Sequence, residues 1–371
     1  MLGTEGAAKA SGAPGGRAED DDYRPALDGL RAVAVIAVVL FHLDRLPGGN
    51  LGVDAFFVLS GWLITTRLLS QADRSPDGRI DLGGFWSARV RRLLPASLAV
   101  ILVVAVAWSA AGITVASLRH DALWALGFAS NWGTVVAGGD YWARFGEPSP
   151  LTHLWSLAVE EQIYLLWPLV LYAVIRRGRP QRGLLVAATS LALAGASIAW
   201  MVTSYDPLAP TSTYVDTFAR AHSLLIGAAA AGVTSTVRGR RLAARLGRHA
   251  MRPAVYLLVG IVTVASADAD WLYAWGFPLF AVAMAVVVVA ASEGVGAPVL
   301  ASRPLRWLGQ RSYGVYLWHW PAILFLSGSR TPLSGAALDT LRVVVALAIA
   351  AASYRWLELP IRRRPVLTVR W

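Results

Sequence analysis

The chain contains a succession of apolar segments, each about as long as a helix that crosses a lipid bilayer. A crossing helix needs about 20 residues at roughly 1.5 Å each, and a helix satisfies all its backbone hydrogen bonds within the bilayer. The candidate spans are residues 27–46, 51–69, 93–116, 154–175, 183–203, 214–234, 253–268, 271–291, 311–328 and 337–357. We therefore predict an all-α, polytopic membrane helix bundle with about ten transmembrane helices.

The composition favours a membrane domain over soluble domains. Hydrophobic residues make up 56% of the chain and charged residues 15%, against about 25% charged residues in soluble domains. The positively charged residues responsible for the net charge of +11 fall between the apolar segments, as is typical of cytoplasmic loops. We therefore expect no nucleic-acid partner. The absence of cysteine excludes a thiolate metal site and a cysteine nucleophile, and we find no other metal-ligand pattern.

The distribution of arginine predicts which side of the membrane each loop faces. With the N-terminus inside, most of the 34 Lys and Arg residues fall in inside segments, as the positive-inside bias requires. This asymmetry holds only if the weaker segment 119–137, which contains Asn131, does not cross. We predict that it is re-entrant or lies on the outer surface, and that both termini are cytoplasmic.

Three parts of the chain follow from this map. Residues 1–26 are small, polar and acidic, and we expect a disordered cytoplasmic tail. Residues 27–362 form the membrane domain, and residues 363–371 form a cytoplasmic C-terminal tail.

Ionisable side chains inside the first spans are candidates for function, because they are costly in a bilayer. Arg31 and His42 lie eleven residues apart, close to three helical turns, so they share one face roughly 16 Å apart. Imidazole is the usual group that removes a proton from a hydroxyl near neutral pH. We therefore predict His42 as a catalytic base, with Asp54 of the second span either orienting it or serving helix pairing.

Two further groups stand at the ends of spans. Arg89 and Arg92 are i, i+3 neighbours and suit a phosphate-bearing ligand, although arginines there also set topology. One of the two carboxylates Glu160 and Glu161 is a candidate for binding a polar acceptor or for balancing an arginine such as Arg220, and a helix-end cap is the alternative. We choose Glu160 as the site residue. We expect His319, set among Tyr and Trp, to be a structural histidine.

Six segments in this order carry a resemblance to a known family. They are residues 24–31 (RPALDGLR) with His42, 52–61 (GVDAFFVLSG), 85–95 (FWSARVRRLLP), 153–164 (HLWSLAVEEQIY), 312–321 (SYGVYLWHWP) and 358–360 (ELP). Over residues 23–362 the chain resembles acyltransferase family 3, the lipopolysaccharide and exopolysaccharide O-acetylase type of membrane acyltransferase.

The resemblance implies an inner-membrane enzyme that moves an acyl group, commonly acetyl from acetyl-CoA, onto a hydroxyl of a sugar, glycan or glycolipid. Acyl-CoA is then a co-substrate, and no cofactor is bound. The family's arginine–histidine signature falls on Arg31 and His42, and its double-arginine signature on Arg89 and Arg92. By this likeness His42 is the catalytic base, and the arginines face acyl-CoA from the cytoplasmic side.

The resemblance leaves the route of transfer open. Many relatives carry a fused extracytoplasmic domain that completes transfer, whereas this sequence ends at residue 371, shortly after the last predicted span. We expect either direct transfer or a separate extracytoplasmic transferase as a partner.

Two other classes of protein compete with the acyltransferase. The first is a multi-span transporter or flippase of an envelope carbohydrate precursor, in which Arg31 and His42 serve a proton relay. The sequence shows no matched pair of Gly/Pro-interrupted spans, which are typical of inverted-repeat carriers. The second is a structural scaffold of the cell envelope, which leaves Arg31, His42 and Asp54 unexplained.

Overall fold

The computed structural model describes residues 23–138, 141, 148–177, 181–266 and 269–363. In that part of the chain all regular structure is helical. The α-helices are α1 Pro25–His42, α2 Gly52–Arg74, α3 Leu82–Ala110, α4 Leu118–Leu126, α5 Ser130–Val136, α6 Trp155–Arg177, α7 Arg182–Ser204, α8 Pro210–Val215, α9 Thr217–Ser235, α10 Val237–Val264, α11 Phe277–Ser292, α12 Ala297–Leu300, α13 Arg303–Gln310, α14 Ser312–Phe325, α15 Gly335–Ser353 and α16 Leu359–Arg363. Short 3₁₀ or π turns adjoin five of these helices, at Pro47–Leu51, Thr152–Leu154, Leu272–Gly276 and Tyr354–Glu358.

The predicted tails lie almost wholly outside the described residues. Residues 1–22 and 364–371 are not described, so the disordered tail over residues 1–26 and the cytoplasmic tail over residues 363–371 stay predictions. The first helix starts at Pro25, where proline suits the first helical turn because its missing N–H has no partner there in any case.

Seven helical segments of the described chain are long and apolar enough to cross a membrane. They are Pro25–His42, Pro47–Arg74, Leu82–Ala110, Thr152–Arg177, Arg182–Ser204, Leu272–Ser292 and Gly335–Arg363. The all-helical, multi-pass architecture is thus confirmed. The other three predicted spans fall on α9, which carries Arg220 and His222, on the second half of α10, and on the 14-residue α14, so the count of ten stays a prediction.

The weak segment 119–137 folds as two short helices. α4 has nine residues and α5 has seven, and at roughly 1.5 Å per residue neither reaches across about 30 Å of hydrocarbon. Asn131 of α5 donates from Nδ2 to Thr217 Oγ1 at 2.9 Å, and Gln162 Nε2 donates to Asn131 Oδ1 at 3.0 Å. The polar residue that weakens this segment as a span therefore attaches it to α6 and α9.

Helices α2 and α9 cross in backbone contact and run in the same direction. A Cβ atom on Gly61 would lie 1.9 Å from the carbonyl oxygen of Leu224, and one on Gly227 would lie 2.1 Å from that of Val58. Asp54 pairs with Arg220 near the N-terminal ends of the same two helices. Residue numbers thus rise together along both helices, as the predicted topology requires if 119–137 does not cross.

Helices α1 and α14 also run in the same direction and lie side by side. Gly309, just before α14, packs so closely that a Cβ atom there would lie 1.8 Å from the carbonyl oxygen of Asp28. At the other end, the ring of His42 contacts the ring of His319. This arrangement places the C-terminal end of α1 beside the middle of α14.

The helices at the rim of the bundle expose apolar side chains. Leu102 and Val106 of α3 are 65% and 59% exposed, and Leu165 of α6 and Leu191 of α7 are each 57% exposed. An apolar face of this kind is costly in water and is expected where a helix meets lipid tails. The opposite faces pack into one continuous core with α2, α9 and α11.

Candidate active site

A cavity lies inside the bundle between α1, α2, α3, α6 and α14. It contains about 600 Å³ of empty space, including space open to solvent. Its charged lining consists of four residues that the sequence singles out, Arg31, Arg89, Arg92 and Glu160. The structure therefore brings together the predicted donor-binding arginines from two separate helices.

The N-terminal end of α3 presents the paired arginines to this cavity. Asp81 caps the helix by accepting a hydrogen bond from the backbone N–H of Gly84 at 2.8 Å, which fixes where the helix begins. One turn further on, the guanidinium of Arg89 lies 4.4 Å from the centre of the Tyr164 ring. This cation–π contact leaves the hydrogen-bond donors of Arg89 available to an anion in the cavity.

Glu160 is held by hydroxyl groups in the cavity wall. Ser60 Oγ and Tyr164 OH both donate hydrogen bonds to Glu160 Oε1. The sequence offered Glu160 as a partner for Arg220, but the described ion pair of Arg220 is with Asp54. Glu160 thus lies among the cavity-lining arginines, one of which, Arg89, packs on the same Tyr164 ring.

Asp54 and Arg220 form a fully buried ion pair between α2 and α9. Arg220 Nη2 donates to Asp54 Oδ2 at 2.6 Å and Ser223 Oγ donates to Asp54 Oδ1 at 2.9 Å, with both charged side chains 0% exposed. The guanidinium also lies 3.9 Å from the centre of the Phe277 ring. These contacts match the helix-pairing alternative for Asp54, and its catalytic role stays a prediction.

His42 ends α1 and its ring contacts at least four groups. Its Nδ1 lies 3.0 Å from the carbonyl oxygen of Val38 and 3.1 Å from His319 Nε2, and its Nε2 lies 3.4 Å from the hydroxyl of Tyr141. The indole of Trp320 packs on the ring with centroids 4.7 Å apart. Nδ1 of His42 thus contacts groups of α1 and α14, whereas Nε2 faces the hydroxyl of Tyr141.

His319 and His153 complete a cluster of three imidazoles. His319 Nδ1 lies 2.6 Å from the carbonyl oxygen of Tyr316, and His153 Nε2 lies 3.1 Å from that of Leu317. The His153 and His319 ring centroids are 5.6 Å apart. Among the described residues, no group of three or more His, Cys, Asp or Glu side chains is placed to hold a metal ion.

Tyr316 lies between the cavity and the histidine cluster. Its side chain lines the cavity, and its hydroxyl contacts Ser156 Oγ at 2.5 Å and donates to the carbonyl oxygen of His153 at 2.8 Å. Its ring centroid lies 5.5 Å from that of His319. The described residues that line the cavity do not include His42, and Tyr316 connects the cavity wall to the ring of His319.

Sequence reasoning missed two contacts of the predicted base. In the sequence Tyr141 follows a stretch with two glycines and no helical periodicity, so no pattern singles it out. Tyr313, Tyr316 and His319 recur every three residues, which places them near one face of α14 and could have suggested that His319 shares a site with the two tyrosines.

A bundle of membrane-length helices around a charged cavity and a histidine pair defines a multi-pass membrane protein with a polar site at its centre. The chain belongs to the acyltransferase family whose sequence profile is described as "Acyltransferase domain", which matches residues 24–355. The resemblance seen in the motifs is thereby confirmed, and with it the prediction that the chain belongs to an acyltransferase family. No solved structure matches the chain.

Similar proteins include several O-acetyltransferases. The chain is 37% identical over 358 residues to the peptidoglycan O-acetyltransferase OatA of Listeria monocytogenes, an alignment that covers 92% of this chain and 56% of that protein. It is 38% identical over 361 residues to YrhL of Bacillus subtilis, covering 92% and 55%, and 33% identical over 357 residues to the O-acetyltransferase OatA of Staphylococcus aureus, covering 92% and 58%. The chain thus spans a little over half the length of these relatives, and the family does not favour the transporter alternative.

Proposed function

We propose that this protein transfers an acetyl group from acetyl-CoA to a hydroxyl of a cell-envelope glycan, with His42 as the general base and peptidoglycan as the acceptor. One observation carries the proposal. An arginine-lined cavity and a histidine pair lie on the two sides of Tyr316, within one bundle of membrane helices. The acceptor class is carried over from the peptidoglycan O-acetyltransferase named above.

The donor binds in the cavity through its phosphates. Arg31, Arg89 and Arg92 supply three guanidinium groups, which recognise phosphate through paired, charge-assisted hydrogen bonds. These arginines belong to the half of the bundle that is predicted to face the cytoplasm. Acetyl-CoA therefore enters from the cytoplasm, the side on which both termini of the chain are also predicted to lie. The apolar wall from Val53, Phe56 and Leu93 accommodates the pantetheine arm.

The chemistry occurs at the other end of α1. His42 Nε2 removes the proton from the acceptor hydroxyl, and the oxygen attacks the thioester carbonyl carbon. The C–S bond then breaks, and the departing sulfur takes the proton from His42, so that the base returns to its starting state. General-base help of this kind contributes about 10²–10⁴-fold, and holding both substrates in register can contribute ~7–11 kcal/mol more.

The proposed path requires Tyr316 to move. Its hydroxyl is bonded to Ser156 and to the backbone of His153, and its side chain lines the cavity on the side of the histidine pair. An acetyl thioester reaches the base when this ring turns aside. The acetyl group then passes either directly to the glycan or to a separate extracytoplasmic transferase.

The test uses the full chain purified into lipid nanodiscs, with isotopically labelled acetyl-CoA and soluble peptidoglycan fragments. We expect labelled O-acetyl ester on the fragments, and loss of about 10²-fold or more in kcat for His42→Ala. His249→Ala, which changes an exposed histidine of α10, is the matched control and should retain wild-type activity. Wild-type protein without acetyl-CoA-dependent product would refute the proposed donor, and a fully active His42→Ala variant would refute the base.

A further inference from the structure

Two histidines from different helices form a direct hydrogen bond at the site. His42 Nδ1 at the end of α1 and His319 Nε2 in the middle of α14 are 3.1 Å apart. Their ring centroids lie 4.9 Å apart, with the planes inclined at 54°. The sequence favoured a purely structural role for His319. The contact with His42 points instead to a functional role.

Backbone carbonyl oxygens fix where the proton of His319 resides. Its Nδ1 lies 2.6 Å from the carbonyl oxygen of Tyr316 and 3.2 Å from that of Val315. A carbonyl oxygen can only accept, so Nδ1 carries the hydrogen. A neutral imidazole has one N–H, and Nε2 of His319 is therefore an acceptor.

The same reasoning then fixes the proton of His42. Its Nδ1 faces two acceptors, His319 Nε2 and the carbonyl oxygen of Val38 at 3.0 Å, and so must be the donor. The neutral ring is left with a bare Nε2, the nitrogen that faces the hydroxyl of Tyr141 at 3.4 Å. His42 is thus held in the tautomer that can take a proton from a substrate hydroxyl.

Resting on the function proposed above, we infer that His319 is a positioning residue that orients the His42 ring with Nε2 unprotonated. When Nε2 takes a proton from the acceptor hydroxyl, that O–H bond breaks and His42 becomes a cation. Its Nδ1–H remains bonded to His319 Nε2, and His319 in turn donates to the carbonyl oxygen of Tyr316, so the positive charge is stabilised along a chain of two imidazoles. On collapse of the intermediate, the proton on Nε2 passes to the leaving sulfur.

The position of His319 corresponds to that of a carboxylate in better-known base arrangements. Within the described part of the chain, the hydrogen bonds of His42 and His319 include no carboxylate. The carboxylate of Asp54, in the first turn of α2, is bonded to Arg220 and Ser223. A neutral imidazole therefore does the orienting without placing a second full charge at this depth, which would be costly in a membrane.

The chain offers a matched control in His222. It is also a fully buried helical histidine, and its Nδ1 lies 2.8 Å from the carbonyl oxygen three residues earlier, Ala219. It thus repeats the backbone contact of His319 without touching His42. Substitutions at His222 measure what the loss of a buried imidazole alone does.

The decisive experiment compares His319→Leu, His319→Gln and His222→Leu in nanodiscs. We expect His319→Leu to lower kcat by roughly tenfold to hundredfold, a part of the about 10²–10⁴-fold due to general-base help, with little change in KM for acetyl-CoA. Glutamine places an oxygen acceptor near the position of Nε2, so His319→Gln should recover part of kcat. His222→Leu should stay within about threefold of wild type, since it leaves general-base help intact.

Nitrogen NMR of the histidine-labelled full chain gives a readout that needs neither activity nor a stable variant. We expect the wild-type spectrum to show a proton on His42 Nδ1, a bare Nε2, and a scalar coupling across the hydrogen bond to His319 Nε2. A proton on His42 Nε2, a wild-type kcat in His319→Leu, or a glutamine variant as impaired as the leucine variant would each overturn the inference. If the protein transferred no acetyl group at all, the proposed function would be refuted. The NMR spectrum would still test the hydrogen bond between His42 and His319.

Discussion

His319 donates a hydrogen bond from Nδ1 to the carbonyl oxygen of Tyr316 at 2.6 Å, and the side chain of the same tyrosine lines the arginine-bearing cavity. One turn of α14 therefore connects the place where the donor is proposed to bind with the histidine that contacts the base. Tyr316 therefore contacts both parts of the site, the cavity through its side chain and His319 through its backbone.

Removing the hydroxyl of Tyr316 should release its ring. Tyr316→Phe loses the contacts with Ser156 Oγ and the His153 carbonyl oxygen, and a neutral hydrogen bond contributes about 0.5–1.5 kcal/mol. We expect kcat to stay unchanged or to rise by up to about tenfold, measured with labelled acetyl-CoA. The control is Tyr313→Phe, which also changes a cavity-lining tyrosine of α14. A large fall in kcat confined to Tyr316→Phe would mean that the hydroxyl takes part in the chemistry.

The arginines of α3 should act on donor binding and not on the chemical step. Arg89 and Arg92 line the cavity, whereas their neighbour Arg91 does not. Losing one charge-assisted hydrogen bond costs about 1.5–3 kcal/mol, so Arg89→Gln and Arg92→Gln should each raise KM for acetyl-CoA by roughly tenfold to hundredfold. Arg91→Gln is the matched control with the same change in net charge. Equal effects of all three substitutions would point to topology or surface charge as the cause.

The Asp54–Arg220 pair should matter chiefly for stability. Removing one partner of a buried ion pair costs about 3–5 kcal/mol because it leaves an uncompensated charge. We expect Asp54→Ala and Arg220→Ala each to lower the free energy of unfolding by about this amount, measured by SDS-induced unfolding in mixed micelles. The double variant should cost less than the two losses together. An Asp54→Asn variant with wild-type stability and lost activity would instead support the catalytic role predicted from the sequence.

The topology can be tested with single cysteines, because the chain contains none of its own. Leu208, between α7 and α8, is 95% exposed, and Pro76 and His249 are also exposed. We expect a membrane-impermeant maleimide to label Leu208→Cys in intact cells and to label Pro76→Cys and His249→Cys only after permeabilisation. If Pro76 and Leu208 proved to lie on the same side, α4 and α5 would contribute a crossing and the predicted map would be wrong.

The glycine contact between α2 and α9 should tolerate no side chain. A Cβ atom on Gly61 would lie 1.9 Å from the carbonyl oxygen of Leu224, whereas one on Gly195 of α7 meets nothing within 4 Å. Gly61→Ala should destabilise the protein by about 1–3 kcal/mol or more through overpacking. Gly195→Ala should be neutral or stabilising by about 0.5–1 kcal/mol, since alanine is the better helix former. Similar unfolding free energies for both variants would contradict the close crossing.

Much of the architecture follows from local pattern. Apolar runs predict the membrane helices, and the helical period alone places Arg31 and His42 on one face of α1. The polar residue Asn131 marks 119–137 as the segment that does not fit a span. In the structure that segment is α4 and α5, both too short to cross.

The partners of these residues depend on which helices become neighbours, and periodicity carries no such information. His319 stands beside His42 because α13 and α14 pack along α1, with Gly309 against Asp28. In the same way, Asp54 meets Arg220 because α2 and α9 cross at glycines. Neither contact is visible in a single sequence, since the paired residues lie 277 and 166 positions apart.

The crossing of α2 and α9 also limits how this bundle can change shape. The backbones of α2 and α9 touch at Gly61 and Gly227, so at this crossing no side chain can change rotamer to let the two helices slide or part. We therefore expect a donor that widens the cavity to displace its other walls, α1, α3, α6 or α14, and to leave the α2–α9 pair in place. Superposing a donor-bound structure on α2 and α9 would then show the donor-induced conformational change as movement of the other helices.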